Sequence, residues 1–84
     1  MRRMPDLTPA EHRVLLLMMA ELDTAQIATR LVIARSTVKA HRMSLYRKTG
    51  THNPVALASW GRRYFEDELR ELQRLLHPED EPAE

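Results

Sequence analysis

Residues 24–50 read TAQIATRLVIARSTVKAHRMSLYRKTG, and this stretch decides the fold. Asp23-Thr24-Ala25-Gln26 is a helix-capping signal, so a short helix is expected over about 24–31 with Ile27, Ala28 and Leu31 turned inward. No glycine stops it, so Val32-Ile33-Ala34 must turn the chain with ordinary residues. A longer helix is expected over about 35–49. Val38 and Leu45 follow its period and should face the core, and Gly50 is placed to close it in the left-handed conformation. The other faces of this helix are mostly basic. Two helices joined by so short a turn form a helix-turn-helix.

The flanks complete an all-α domain. Thr8-Pro9-Ala10-Glu11 is a capping box with proline at the first helical position, opening a helix over about 9–21. Val14, Leu15, Leu17, Met18 and Leu22 give it a broad apolar face. Asn53-Pro54 opens a fourth helix that runs to about Leu76, roughly 35 Å, with Gly61 as a weak point where it could bend. The expected organisation is an N-terminal arm over 1–6, a four-helix domain over 7–77, and an acidic, disordered tail over 78–84. The opening methionine and the trailing acidic end point to a complete chain.

Composition narrows the function. At 84 residues the chain is one domain, with 43% hydrophobic and 30% charged residues, as expected of a soluble globular protein. With one Phe, one Trp and two Tyr, the core must be aliphatic. There is no cysteine, hence no disulfide or cysteine nucleophile. The longest apolar run, Val14 to Ala20, is too short to span a bilayer, so no membrane association is expected and a cytoplasmic location is the default. The net charge of +1 conceals an asymmetry: Thr24 to Arg63 contains no acidic residue but carries Arg30, Arg35, Lys39, Arg42, Arg47, Lys48, Arg62 and Arg63, and from Tyr64 onward acids dominate. A basic middle with an acidic end suits a polyanionic partner.

The residues also carry a resemblance. Leu7-Thr8-Pro9-Ala10-Glu11 with Val14-Leu15, Ile27-Ala28 with Leu31, Ser36-Thr37-Val38-Lys39-Ala40-His41-Arg42, and Arg47-Lys48-Thr49-Gly50 resemble, in order and spacing, the LuxR/FixJ (GerE-type) helix-turn-helix family. The resemblance covers about Leu7 to Ala58. It implies a four-helix domain that binds double-stranded DNA as a dimer, with the last helix at the dimer contact. Carried over residue by residue, it turns Lys39, Ala40 and Met43 toward base edges and puts Thr37, Arg42, Arg47 and Lys48 nearer phosphates. Ser36 or Thr37 could bond a phosphate or cap the helix. Met43 has no hydrogen-bonding group, so it could read a base only by apolar contact, such as a thymine methyl. Arg30 and Arg35 could touch the DNA backbone or be solvated, and His41 is expected to pack at the edge of the motif. Three positions depart from the family pattern: Val32 replaces the usual turn glycine, Ala34 the usual polar cap, and Thr49 the usual leucine before Gly50. The first two suggest an altered or strained turn.

The long last helix suggests a partner. Val55, Ala58, Phe65, Leu69, Leu72 and Leu76 recur at three- and four-residue steps, with Arg62 filling one place. Phe65, Leu69, Leu72 and Leu76 lie far along the chain and are expected to form a homodimer interface, the competing reading being that they fold back on the first helix of their own chain. The acidic end should then point away from DNA. No enzyme is expected: His12, His41, His52 and His77 are dispersed, and no phosphate-binding glycine loop, metal site or cofactor site is present in the sequence. The combined expectation is a sequence-specific transcriptional regulator that binds a palindromic site as a homodimer. The rival is an adaptor that uses the fold to bind RNA polymerase or another transcription factor.

Overall fold

The computed structural model describes residues 4–77. Four helices make up the fold: α1 (Pro9–Met19), α2 (Thr24–Leu31), α3 (Arg35–Thr49) and α4 (Pro54–Leu76). No strand occurs among the described residues, and the architecture is all-α. The expected arm is described only from Met4 onward, and the expected acidic tail lies outside the described residues.

Three of the four helix starts follow from their capping residues. The Thr8 hydroxyl accepts from the Glu11 N–H and the Glu11 carboxylate accepts from the Thr8 N–H, the reciprocal pair that the sequence signals. Asp23 and Gln26 repeat it at α2, and the Asn53 side chain accepts from the Ala56 N–H at α4. α3 differs. Its N-cap is Ala34, which has no side-chain oxygen, so neither Ser36 nor Thr37 caps the helix. Both lie within its first turn and both are exposed.

The first three helix ends share one device. α1 stops two residues earlier than its apolar pattern suggests, because Glu21 turns into the left-handed region (φ 68°). The N–H groups of Glu21 and Leu22 return to the carbonyls of Met18 and Leu17. Val32 does the same after α2 (φ 56°, ψ 51°), with the Ile33 N–H on the Ala28 carbonyl. Gly50 does it after α3 (φ 70°). Only the last of the three is a glycine, so a β-branched residue holds the strained turn inside the helix-turn-helix.

The core is aliphatic. Val14, Leu15, Leu17 and Met19 of α1, Ile27 and Ala28 of α2, Val38 and Leu45 of α3, and Leu57 and Leu69 of α4 are buried together. Gly61 is not the bend. It is buried against α1, where a Cβ would lie 2.6 Å from Met19 Sδ and 3.2 Å from Leu15 Cδ1, so the position keeps the two helices close. The break in α4 falls at Phe65, whose φ of −129° and ψ of 27° leave the helical region. Beyond it α4 packs along α1: the His12 and Phe65 rings meet edge to face at 4.7 Å, and His12 Nε2 is 2.8 Å from Glu68 Oε2. Leu69 is 6% exposed and belongs to the chain's own core, with Phe65 and Leu72 packed against it. Of the four residues assigned to a dimer seam, Leu69 is thus covered by its own chain, and Phe65 and Leu72 are half-buried against the core. Leu76 is half-buried and lines a groove together with Leu22, Ala25 and Arg30.

Candidate nucleic-acid interface

α3 is divided lengthwise by burial. Val38, Leu45 and Thr49 face inward. On the opposite side Ser36, Ala40, Met43 and Arg47 recur at four-, three- and four-residue steps, which places them on one stripe, with Lys39 beside it. All five are exposed, as is Thr37. Met43 is 54% exposed, so it is not a core filler. Neither Lys39 nor Arg47 has an acidic partner among the described residues. Arg30 and Arg35 are exposed on either side of the turn, and His41 is half-buried.

Two of the residues assigned to phosphate are committed elsewhere. Lys48 Nζ lies 2.6 Å from Glu11 Oε1 and also donates to the Asp6 carbonyl at 2.9 Å. Arg42 is half-buried and donates from Nη1 to the Thr24 hydroxyl at 2.9 Å, tying the middle of α3 to the first turn of α2. Both hold α3 to its neighbours, unlike the uncommitted Lys39 and Arg47.

Glu11 is the centre of that support, and as a site it was missed. Its side chain is 6% exposed. Burial pushes its pKa upward, but hydrogen bonds from Lys48, from the Ser44 hydroxyl and from the Thr8 N–H, together with the Lys48 charge, outweigh burial and hold it at about 2. The sequence marked Glu11 only as half of a capping box. The capping oxygen Oε1 of Glu11 also receives Lys48, and a glutamate and a lysine 37 residues apart carry no local signal that they meet. Thr49, where a leucine was expected, is buried with its hydroxyl donating to the Leu45 carbonyl at 2.8 Å and within 2.8 Å of the Thr51 hydroxyl, so the polar replacement is satisfied.

The family model for GerE, bacterial regulatory proteins of the luxR family, matches residues 5–60. The chain belongs to the LuxR family. The match takes in α1, α2, α3 and the start of α4, and stops before the break at Phe65. A LuxR-family domain is a DNA-binding helix-turn-helix of transcription regulators, and α2 and α3 are the two helices joined by the short turn. Among curated proteins, and among solved structures, none matches the chain significantly. No helix among the described residues is long and apolar enough to cross a membrane.

Proposed function

We propose that this chain is a sequence-specific, cytoplasmic transcription regulator that binds a palindromic duplex as a homodimer, with the first turns of α3 in the major groove. The observation that carries the reading is the exposed stripe of Ser36, Ala40, Met43 and Arg47 with Lys39 beside it, on a helix whose other side is buried. A major groove admits one helix, small residues such as Ser36 and Ala40 allow close approach, and unpaired cations serve guanine edges and phosphates. Lys39 is assigned to base readout. Ser36, Thr37 and Arg47 are assigned to the flanking backbone, and Arg42 and Lys48 to positioning α3.

The homodimer contact is assigned to the far part of α4, where Phe65, Leu72 and Leu76 are only half-buried beside the buried Leu69. Val55 at 80% exposure and Leu75 at 73% are the exposed aliphatic side chains of α4. Leu75 adjoins Leu76 and extends that surface, whereas Val55 lies at the opposite end of the helix. Two copies would then read half-sites about one helical turn apart.

Selection of bound duplexes from a random pool, with Lys39→Ala in parallel, tests this reading. A palindromic motif that the variant loses or relaxes is the expected result. No enriched motif, with weak binding that vanishes in moderate salt, overturns it in favour of an adaptor for RNA polymerase or another regulator.

A further inference from the structure

α3 contains no Asn, Gln, Asp or Glu anywhere along its fifteen residues. That absence has a chemical consequence on the reading that α3 lies in a major groove. Bidentate recognition of adenine needs an amide side chain, and acceptance from the cytosine amino group is the usual task of a carboxylate. Neither is available. The long side chains on the outer stripe and its edge are two cations, Lys39 and Arg47, and one apolar side chain, Met43. The cations suit guanine edges or phosphate. Met43 is more than half exposed, lies outside the buried core and the side chains packed against it, and is followed one turn back by Ala40 on the same stripe. A methionine more than half exposed and outside the core contributes little to this fold, and its flexible, polarizable thioether adapts to small apolar groups. The one apolar feature that a base pair offers in the major groove is the methyl on C5 of a pyrimidine.

We infer that Met43, backed by Ala40, is a specificity-determining residue that reads a pyrimidine 5-methyl group in each half-site. Two bases present that group: thymine and 5-methylcytosine. The ring atom bearing it is the same in both, so the side chain responds to the methyl and not to the base that carries it. The selected site therefore contains a pyrimidine whose methyl contributes to affinity while its ring edge is left unread by hydrogen bonds from Met43. Where that position is cytosine, methylation at C5 strengthens binding.

The test uses the duplex motif selected by the whole chain. Deoxyuridine replaces each thymine in turn, removing only the methyl. At the position so found, duplexes carrying cytosine and 5-methylcytosine opposite guanine are then compared. Burial of one methyl corresponds to about fourfold in affinity per half-site. One thymine position is expected to lose about that factor as deoxyuridine, and 5-methylcytosine is expected to exceed cytosine there by the same factor. If only the thymine pair differs, thymine alone is the ligand and the 5-methylcytosine half of the inference fails. Met43→Ala should abolish both differences without moving the thermal midpoint, and Met43→Leu should retain them. A motif with no methyl-sensitive position, or a sensitivity that survives in Met43→Ala, overturns the inference while leaving the DNA-binding reading intact. Absence of any enriched motif overturns that reading itself.

Discussion

Lys48 in the last turn of α3 reaches Glu11 in the first turn of α1, closing at 2.6 Å a contact between residues 37 apart in the chain. The pair fastens the presented helix to the scaffold helix near the C-terminal end of α3, while Arg42 and Thr24 fasten its middle to α2. The outer stripe of α3 is thus carried on a helix held by these polar contacts and by the buried Val38 and Leu45.

Acid should loosen this support. The Glu11 carboxyl is held at about 2 in the folded chain, below its ordinary 4.5. A depressed folded value means that the contribution is fully present above about pH 4.5 and is lost as pH falls from there toward 2. Urea unfolding at pH 7, 4.5 and 3 should show stability falling across the two lower points. Glu11→Gln should flatten that fall. An unchanged acid limb in Glu11→Gln would mean that other carboxylates set it.

Removing the lysine should be harmful at neutral pH as well. Lys48→Ala leaves an ionised, nearly buried Glu11 with only the Ser44 hydroxyl and the Thr8 N–H as donors. An uncompensated buried group of this kind costs about 1–3 kcal/mol. The thermal midpoint should drop accordingly, and Lys48→Ala combined with Glu11→Gln should recover part of the loss, because the stranded charge is gone. A double variant no better than the single would mean that Lys48 acts through packing of its stem.

Much of the fold is legible in the sequence, and the residues show why. Thr8, Asp23 and Asn53 announce α1, α2 and α4 because a cap is a local event: a side-chain oxygen three residues from the N–H that it accepts. The inward faces of α3 and α2 are legible from period alone. What is not legible depends on contacts between distant segments. Phe65, Leu69 and Leu72 read first as a seam for a second copy, and only the packing of α4 on α1 shows that Leu69 is core and that Phe65 and Leu72 lie against it. Gly61 reads as a flexible point, yet its lack of a side chain serves close approach to Met19. Lys48 reads as one more cation on a basic helix until Glu11 is seen beside it.

Val32 offers a gain in stability. It holds φ at 56° with 88% of its surface exposed, so its side chain contributes strain and little packing. Left-handed backbone costs a non-glycine residue roughly 1–2 kcal/mol, part of which glycine returns through its larger unfolded-state entropy. Val32→Gly should raise stability by about 1 kcal/mol in chemical unfolding. Equal or lower stability would mean that the turn relaxes around valine in solution.

Gly61 should be graded by side-chain size. Gly61→Ala sets a Cβ 2.6 Å from Met19 Sδ, but that atom lies near the end of a flexible side chain, and alanine gains about 1 kcal/mol of helix propensity over glycine. The two effects nearly cancel, and the thermal midpoint should move little. Gly61→Val adds branches toward Met19 and Leu15 that the core cannot absorb, at a cost of about 1–3 kcal/mol. If valine were tolerated as well as alanine, α4 would have to sit farther from α1 than it does here.

Arg47 and Lys39 should separate in their salt and sequence dependence. Both are exposed and free of acidic partners among the described residues, but Lys39 lies in the second turn of α3 and Arg47 near its end. The first turns of a groove-bound helix meet base edges, and its later turns diverge toward the backbone. Arg47→Ala should therefore weaken unrelated duplexes and the selected site by the same factor. It should also lower the slope of log affinity against log salt by about one per half-site. Lys39→Ala should instead cost about 1–3 kcal/mol on the selected site and much less on unrelated duplexes. Titrations of both variants over a range of salt concentrations distinguish the roles. Equal losses on every sequence for Lys39→Ala would return that residue to the phosphate backbone and leave Met43 as the base-reading side chain of α3.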